Sequence, residues 1–215
     1  MTTTDNLTKD NYLELDDITI FPNDKLISLF TSIPKIKTLK ILRGFDQSYL
    51  SKFLDESPEH LSAQWKMSLK YKKGTVGELM QPAPLVLNEK LTIEDAIAEV
   101  KKINKQKQFT YGTIVDDANK VTGVLVFKDV FYHEPNTLLK DICIKKPICL
   151  KAEDDVLETF MKVAGKQIPE FPVIDNEGKL LGTLRGTHVN DSHALKISAQ
   201  SGLMVGASPE EGLDS

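Results

Sequence analysis

The sequence TIVDDANKVTGVLV at residues 113–126 decides the fold, because a second version of it, PVIDNEGKLLGTLR, stands at residues 172–185. Each version has two apolar runs on either side of a polar turn, which is the pattern of a β-hairpin. An internal repeat of this kind predicts one structural unit that is used twice. The aligned positions include Asp116 with Asp175, and Gly123 with Gly182.

The repeat continues on the N-terminal side of both hairpins. TVGELMQPAPLVL at residues 75–87 matches LLKDICIKKPICL at residues 138–150. Between this piece and the hairpin, apolar residues follow the i, i+3, i+4 spacing of an amphipathic helix. We therefore predict two β-α-β-β-α units, named copy one (residues 74–134) and copy two (residues 137–192). Their helical stripes are Ile93, Ala96, Ile97 and Val100 in copy one, and Val156, Leu157, Phe160 and Val163 in copy two.

Residues 23–73 show a different pattern, with short amphipathic segments separated by proline, serine and glycine. The spacing predicts four helices, the first capped by Asn23 or Asp24 and the second by Ser32. These helices form a small all-α domain. The predicted fold class is α+β, with this all-α N-terminal domain followed by the tandem repeat at residues 74–192.

Composition and motifs argue against several classes of protein. The two cysteines, Cys143 and Cys149, do not have the C-x-x-C spacing of zinc or redox sites, so we predict reduced, packed thiols. No metalloprotease, nucleophile-elbow or P-loop motif occurs, and we predict that the chain is not an enzyme. No run approaches the roughly 18 to 20 apolar residues of a membrane span. Residues 1–22 resemble neither a signal peptide nor a folded segment, so we expect a disordered leader on a soluble, unexported chain.

The formal charge of −4 hides a change of sign along the chain. Residues 32–73 carry nine bases and four acids, whereas residues 74–192 carry fifteen bases and eighteen acids. A basic stretch can bind nucleic acid, but no aromatic platform is interleaved with these lysines, so we predict no nucleic-acid partner. A solvated face, or a surface that docks on the acidic repeat, explains the basic stretch better.

The repeated unit resembles the CBS module. The resemblance is carried by the strand ends IVDDANKVTGVLV and FPVIDNEGKLLGTL, each followed by a predicted helix. It implies that the two copies pair through their sheets into one pseudo-symmetric body with two clefts for adenine nucleotides. CBS pairs are attached to enzymes, channels and transporters alike, so the fold by itself does not give the function.

Three further features resemble the MgtE family of magnesium transporters. The junction SLKYKKGTVGELMQPAPLVL resembles the passage from that family's helical domain into its first CBS repeat, with a T-h-G-x-L-M pattern. The short helices of residues 23–73 resemble the helical domain, although the family's domain is usually longer. SGLMVGASPEEGLDS at residues 201–215 resembles the segment before the first membrane helix, so residues 193–215 are expected to connect to a transmembrane domain.

This resemblance implies the regulatory, sensing region of a transporter for magnesium or another divalent cation, on the cytoplasmic side of the membrane. Gating is expected to follow ligand-dependent association of domains. The resemblance also implies a homodimer through the helices of the CBS pair, with the transmembrane domain in the same polypeptide. The alternative is a free-standing CBS-pair protein that senses adenine nucleotides.

The CBS resemblance also implies nucleotide-binding residues, through the signature G-h-x-[ST]-x-x-D. Copy one reads GVLVFKD, which keeps Asp129 for the ribose, with Lys128 beside it, but has Val126 at the hydroxyl position. Copy two reads GTLRGTH, which has Arg185 and His188 at the two key positions. We therefore expect weak adenine-nucleotide binding, with Arg185 as a candidate phosphate contact. Asp129 is equally well explained as an acid near the start of a helix.

For magnesium, the MgtE resemblance implies acidic residues at positions that this chain has largely lost. The expected positions are held by His188, Ala194, Lys196, Ala199 and Gln200. The acids that remain as candidate ligands are Asp155 and Glu158 on the first helix of copy two, and Asp191. We expect weak Mg²⁺ binding. Each of these acids also has an ordinary role as a residue of a helix N-terminus or of a solvated face.

Overall fold

The chain consists of two structural units, divided between Lys70 and Tyr71. The structure is a computed structural model that describes residues 21–102, 110–166 and 168–186. Asp191, His188 and the segment 193–215 lie outside the described residues, as does nearly all of the leader at residues 1–22.

The first unit is built from four helices around a cluster of aromatic rings. The helices are α1 (Asn23–Ser32), α2 (Lys35–Leu42), α3 (Gln47–Glu56) and α4 (Glu59–Leu69). Phe30 meets Phe53 edge to face with ring centroids 5.6 Å apart, and Trp65 edge to face at 6.0 Å. Phe53 and Trp65 stack at 5.8 Å. Such pairs add about 0.5–1.5 kcal/mol beyond burial, so the rings hold this small unit together.

Two of the predicted helix caps are wrong. Helix α1 is preceded by Pro22 and α2 by Pro34, and neither start has a side-chain cap. Ser32 is the last residue of α1, where its hydroxyl donates to the carbonyl of Leu29 at 2.8 Å. Proline lacks an N–H and its fixed φ suits a helix entrance, so it starts a helix without the hydrogen bond that a serine cap supplies.

The second unit contains the predicted repeat, and the α+β fold class is confirmed. Copy two repeats the order of copy one and has one additional two-residue strand; the second helix of copy one is a 3₁₀ helix, and the one predicted for copy two falls largely outside the described residues. Copy one consists of α5 (Val76–Leu79), β1 (Val86–Asn88), α6 (Ile93–Lys102), β2 (Tyr111–Val115), β3 (Val121–Val126) and the 3₁₀ helix Phe127–Tyr132. Copy two consists of α7 (Leu139–Ile142), β4 (Ile144–Lys145), β5 (Leu150–Lys151), α8 (Val156–Val163), β6 (Glu170–Ile174) and β7 (Leu180–Arg185).

Each copy contributes a short strand or bridge to the sheet of the other. In copy one β1 is parallel to β2 and β2 antiparallel to β3, and β5, β6 and β7 repeat this order in copy two. Strand β4, from the start of copy two, pairs with β3 of copy one and places Ile144 opposite Val124. In return, Gln81 of copy one exchanges two backbone hydrogen bonds of 2.8 Å with Thr183 in β7. We name these pieces the exchanged strands.

A pseudo-twofold axis relates the copies and passes between the two hairpin turns. Lys120 forms an antiparallel bridge with Lys179, its counterpart in the repeat. On either side, the N–H of Leu180 donates to Asn119 at 2.9 Å, and the N–H of Val121 donates to Gly178 at 3.1 Å. Because these bonds are symmetry counterparts, the two hairpins meet turn to turn.

The repeated glycine is explained by the exchanged strands. A Cβ on Gly182 would lie 2.5 Å from the carbonyl oxygen of Gln81. A Cβ on Gly123 would lie 2.5 Å from Sγ of Cys143 and 3.1 Å from the carbonyl oxygen of Ile144. Ordinary carbon contacts are about 3.5–4.0 Å, so only glycine lets the exchanged strand approach.

The helical stripes of both copies are largely buried. In copy one Ile93 and Ala96 are buried in a core with Ile114 and Leu125. In copy two Val156, Phe160 and Val163 are buried on α8. These buried side chains are therefore not available for the homodimer interface that the resemblance assigns to the helices of the CBS pair, whereas Ile97, Val100 and Leu157 are half-buried. Among the described residues of the second unit, the large apolar side chains left most exposed are Phe131 (77%), Tyr132 (80%) and Met161 (58%).

Candidate functional site

The candidate nucleotide residues of copy one lie at the far end of the β2–β3 hairpin. Lys128 and Asp129 are in the first turn of the 3₁₀ helix Phe127–Tyr132, with Lys128 exposed and Asp129 half-buried. Two anchors fix this turn: the side chain of Val130 is buried in the core, and the N–H of Phe127 donates to Thr110 at 2.9 Å. Asp129 therefore lies near a helix start, as one of its two interpretations predicts, and shortly after the end of β3.

An apolar surface lies at the end of the strand that precedes this acid. Val126, at the hydroxyl position of the signature, is paired with Tyr111 on the neighbouring strand. Val124 lies on the same face, because alternate residues of a strand point to the same side. Tyr111, Val124 and Val126 are all half-buried. An aromatic ring and two valines at this strand end can accept a base, and the carboxylate that follows can accept a ribose hydroxyl.

The equivalent end of copy two is polar. Glu170 is paired with Arg185, and the Thr183 hydroxyl donates to Oε1 of Glu170 at 2.6 Å. These three residues occupy the positions of Tyr111, Val126 and Val124 in the repeat. Arg185 is exposed. This end presents a cation and an anion where copy one presents an apolar surface.

The structure does not bring Arg185 together with Lys128 and Asp129. β3 and β7 leave the Lys120–Lys179 bridge in opposite directions. Val126 and Arg185 each lie six residues from that bridge, which is roughly 20 Å along a strand. The candidate residues therefore belong to two separate ends of the second unit.

The candidate metal residues Asp155 and Glu158 lie at the start of α8. Oδ1 of Asp155 accepts the N–H groups of Leu157 at 2.8 Å and Glu158 at 3.0 Å, so this carboxylate caps the helix. Both acids are exposed. Among the described residues, no group of three or more His, Cys, Asp or Glu side chains is placed to hold a metal ion.

Comparison with known proteins identifies the repeated unit. A family model for the CBS domain matches residues 76–135 and 139–189, more than half of the chain. The chain belongs to the CBS domain family. The two matches coincide with copy one and copy two, so the exchanged strands join two CBS domains into a CBS pair.

Proteins with the same fold include parts of magnesium transporters. The magnesium transporter MgtE of Thermus thermophilus is 24% identical over 154 residues, which cover 71% of this chain and 34% of the transporter. This chain thus spans about a third of the length of that relative. The structure of the soluble part of a magnesium transporter matches 84% of this chain and 71% of its own, with 20% identity and a TM-score of 0.68.

A second solved structure is the cytosolic domain of the Mg²⁺ channel MgtE in complex with ATP. It matches 83% of this chain and 78% of its own, with 20% identity and a TM-score of 0.65. The predicted resemblance to the cytosolic region of MgtE proteins is therefore confirmed in fold. None of the helices in the described part of the chain is long and apolar enough to cross a membrane.

Both cysteines of the CBS pair have the surroundings of packing residues. Burial raises the pKa of the Cys143 thiol, with a smaller opposing effect from Lys145, and burial raises that of Cys149. A raised pKa lowers the thiolate fraction at neutral pH, and the thiolate is the reactive form. Cys143 instead fills the space above Gly123, where its sulfur supports an exchanged strand.

Proposed function

We propose that this chain is the regulatory, non-catalytic region of a magnesium transporter of the MgtE type, on the cytoplasmic side of the membrane and continuous with a transmembrane domain. The order of its parts carries the proposal. Four helices at Asn23–Leu69 precede the CBS pair, and the match to the soluble part of a magnesium transporter extends over 84% of the chain. A CBS pair alone covers little more than half of the chain.

An adenine nucleotide is the ligand that we assign to the end of copy one. Asp129 would accept the ribose hydroxyls, Lys128 would meet a phosphate, and the base would lie on Tyr111 and Val126. The related cytosolic domain solved in complex with ATP supports this ligand class. Binding is expected to be weak, because Val126 offers no hydroxyl to the phosphates.

The end of copy two is the poorer nucleotide site. Arg185 would contact a phosphate, but Glu170 beside it would repel the same anion. Glu170 already accepts the hydroxyl of Thr183, so it stays in place on this face. We therefore assign Arg185 a phosphate contact that is weaker than binding at copy one.

Magnesium is the second ligand, and we assign it to Asp155, Glu158 and Asp191 as a weak site. Mg²⁺ favours carboxylate oxygens and keeps several of its waters, so one or two exposed acids suffice for loose binding. One oxygen of Asp155 is already engaged by two N–H groups of α8. A metal ion bound there has to compete with these two N–H groups for the Asp155 carboxylate, or bind the same carboxylate alongside them.

Gating would follow from association between the helical domain and the CBS pair. Cations drive such association by neutralising acidic surfaces that otherwise repel each other. In this chain lysines perform part of that task, because residues 32–73 carry nine bases and only four acids. We therefore propose that this association depends less on magnesium than it would in a region whose surfaces are all acidic.

The reading frame that follows Ser215 tests the transporter assignment directly. Apolar segments of about 20 residues downstream are the expected result. A frame that stops there would contradict it and favour the alternative, a free-standing CBS-pair protein that senses adenine nucleotides. The retained Asp129 and the apolar residues at the end of the same hairpin are the observation that favours this alternative.

A further inference from the structure

The first nine residues of the second unit form a strap along copy two. We use the name strap for residues 71–79, which begin two positions after the last residue of α4, Leu69. From Thr75 onward every residue of the strap is buried, whereas the side chains of Lys72 and Lys73 are exposed. The strap is therefore an exposed loop followed by a buried segment.

The strap is closed by an aromatic ring that lies on a glycine. A Cβ built on Gly77 would be 2.5 Å from Cγ and 2.8 Å from Cε1 of Tyr71. No side chain fits in that space, so the ring of Tyr71 occupies the position of the missing one. Gly74 turns the loop between them with φ of +84°, and its N–H donates to the buried Glu78 carboxylate at 2.7 Å.

Backbone hydrogen bonds tie the closed strap to the β5–α8 connection of copy two. Val76 donates to Asp154 at 3.0 Å, Gly77 donates to Ala152 at 2.8 Å, and Val156 donates to Gly74 at 2.8 Å. Tyr71 faces the same region: burial raises its pKa, and the negative charges of Glu153 and Asp175 raise it further. The ring thus lies on its own glycine, with these two acids of copy two nearby.

The segment that leads into copy two shows that the CBS fold does not require an aromatic ring packed on this glycine. Residues 134–142 make the same three backbone bonds to copy one: Leu139 to Leu91, Lys140 to Glu89, and Ile93 to Thr137. At the positions of Tyr71 and Gly77, however, they have Glu134 and Lys140, both exposed. The backbone bonds belong to the repeat, whereas the ring on the glycine occurs only where the helical domain is attached.

We propose that Tyr71 and Gly77 form a latch that fastens the chain arriving from the helical domain to copy two of the CBS pair. Through the strap, a rearrangement of the β5–α8 connection pulls directly on the residues that follow Leu69. That connection includes Asp155, whose backbone bridges Thr75 in the strap. The latch is thus a mechanical coupling that does not depend on which ligand the pair binds.

Trypsin provides a direct readout, because Lys72 and Lys73 are exposed within the strap but their backbone is held. With Tyr71→Ala, the latch opens, and cleavage after Lys72 and Lys73 is expected to become roughly tenfold faster, since native-state proteolysis follows the open population. Cleavage after Lys120, at the centre of the pair, is expected to stay unchanged. Intact-mass spectrometry of the full chain over time separates these sites.

Matched variants test whether the packing of the Tyr71 ring on Gly77 is what protects the strap from trypsin. Tyr71→Phe keeps the ring and is expected to behave like the wild type, whereas Gly77→Ala is expected to behave like Tyr71→Ala. In the Tyr71→Ala background, Gly77→Ala is expected to add nothing, because no ring is left to displace. Unchanged cleavage in Tyr71→Ala, or an equal effect of Gly77→Ala with and without the ring, would overturn the latch. Should Gly77→Ala fail to fold, the Tyr71 variants decide alone.

Discussion

Two side-chain differences make the ends of the CBS pair chemically unlike. Copy one has Tyr111 opposite Val126, and copy two has Glu170 opposite Arg185. Val126 and Arg185 could be read from the signature in the sequence, but their partners could not. A cross-strand partner depends on hairpin register, and both hairpins contain a bulge that shifts that register beyond simple counting from the turn.

Asp129→Ala is expected to weaken ATP binding to the full chain. A charge-assisted hydrogen bond contributes about 1.5–3 kcal/mol, so the dissociation constant should rise roughly ten- to a hundredfold. Isothermal titration calorimetry measures it, with Glu94→Ala as a control that removes an exposed acid from the first turn of α6. Arg185→Ala is expected to leave this affinity unchanged. Low-micromolar binding that survives Asp129→Ala would refute the copy-one site.

Asp155→Ala is expected to destabilise the chain by about 1 kcal/mol, the usual cost of losing an N-cap. Oδ1 of Asp155 accepts two N–H groups at the start of α8. Glu158→Ala, three positions after the cap, serves as the matched control and should cost less than about 0.5 kcal/mol. Urea unfolding followed by circular dichroism compares them. Equal losses of unfolding free energy in the two variants would mean that Asp155 does not stabilise the chain through the helix cap.

At the scale of the elements, the sequence predicted the helices and hairpins but not the exchanged strands. Periodicity identifies a strand and its buried face, yet it carries no information about which sheet a two-residue strand joins. The signal that was present is Gly123 and Gly182, which a close backbone approach requires. The caps predicted at Asn23 or Asp24 and at Ser32 are wrong because polar side chains stood near both helix starts, while prolines hold the capping positions.

Gly182→Ala is expected to destabilise the second unit more than Gly123→Ala. The new Cβ at position 182 meets the backbone oxygen of Gln81, whereas at position 123 it first meets the Cys143 side chain. Overpacking of this kind costs about 1–3 kcal/mol, and a side chain yields more easily than backbone. Thermal unfolding of the two variants gives the order. Cys143→Ala should relieve part of the Gly123→Ala loss, and no relief would contradict the packing described for this sulfur.

At the scale of the whole molecule, the family resemblance favours a homodimer, and the surface that forms it needs side chains other than the buried ones of the helical stripes. These buried side chains are Ile93 and Ala96 of α6, and Val156, Phe160 and Val163 of α8. Phe131 and Tyr132 are the most exposed large apolar residues that the structure describes. Exposed aromatic side chains are enriched at the cores of protein interfaces.

We expect a dimer in sedimentation velocity at tens of micromolar, because an interface of standard size holds together at that concentration. Phe131→Ser with Tyr132→Ser should shift the chain toward the monomer, and Met161→Ser provides a control at another exposed apolar position. A single species of 24.0 kDa in the unaltered chain would rule out the dimer.

Magnesium is expected to compact the chain only slightly in small-angle scattering at low salt. The opposite charges of residues 32–73 and 74–192 favour association without an ion. Each surface pair contributes about 0–1 kcal/mol and is screened by salt, so several must act together. Compactness that is lost on adding monovalent salt alone is the supporting result. A large compaction driven by millimolar magnesium would contradict the proposal.

The exchanged strands leave neither CBS copy with a complete sheet made from its own residues. Ile144 completes the sheet of copy one, and Gln81 extends that of copy two. A chain severed near residue 136 would give two fragments that each hold the other's missing edge, and they should reassemble when mixed. Two molecules of a single ancestral module could have traded edges in the same way. On that view, the present chain would hold a former oligomer inside one polypeptide.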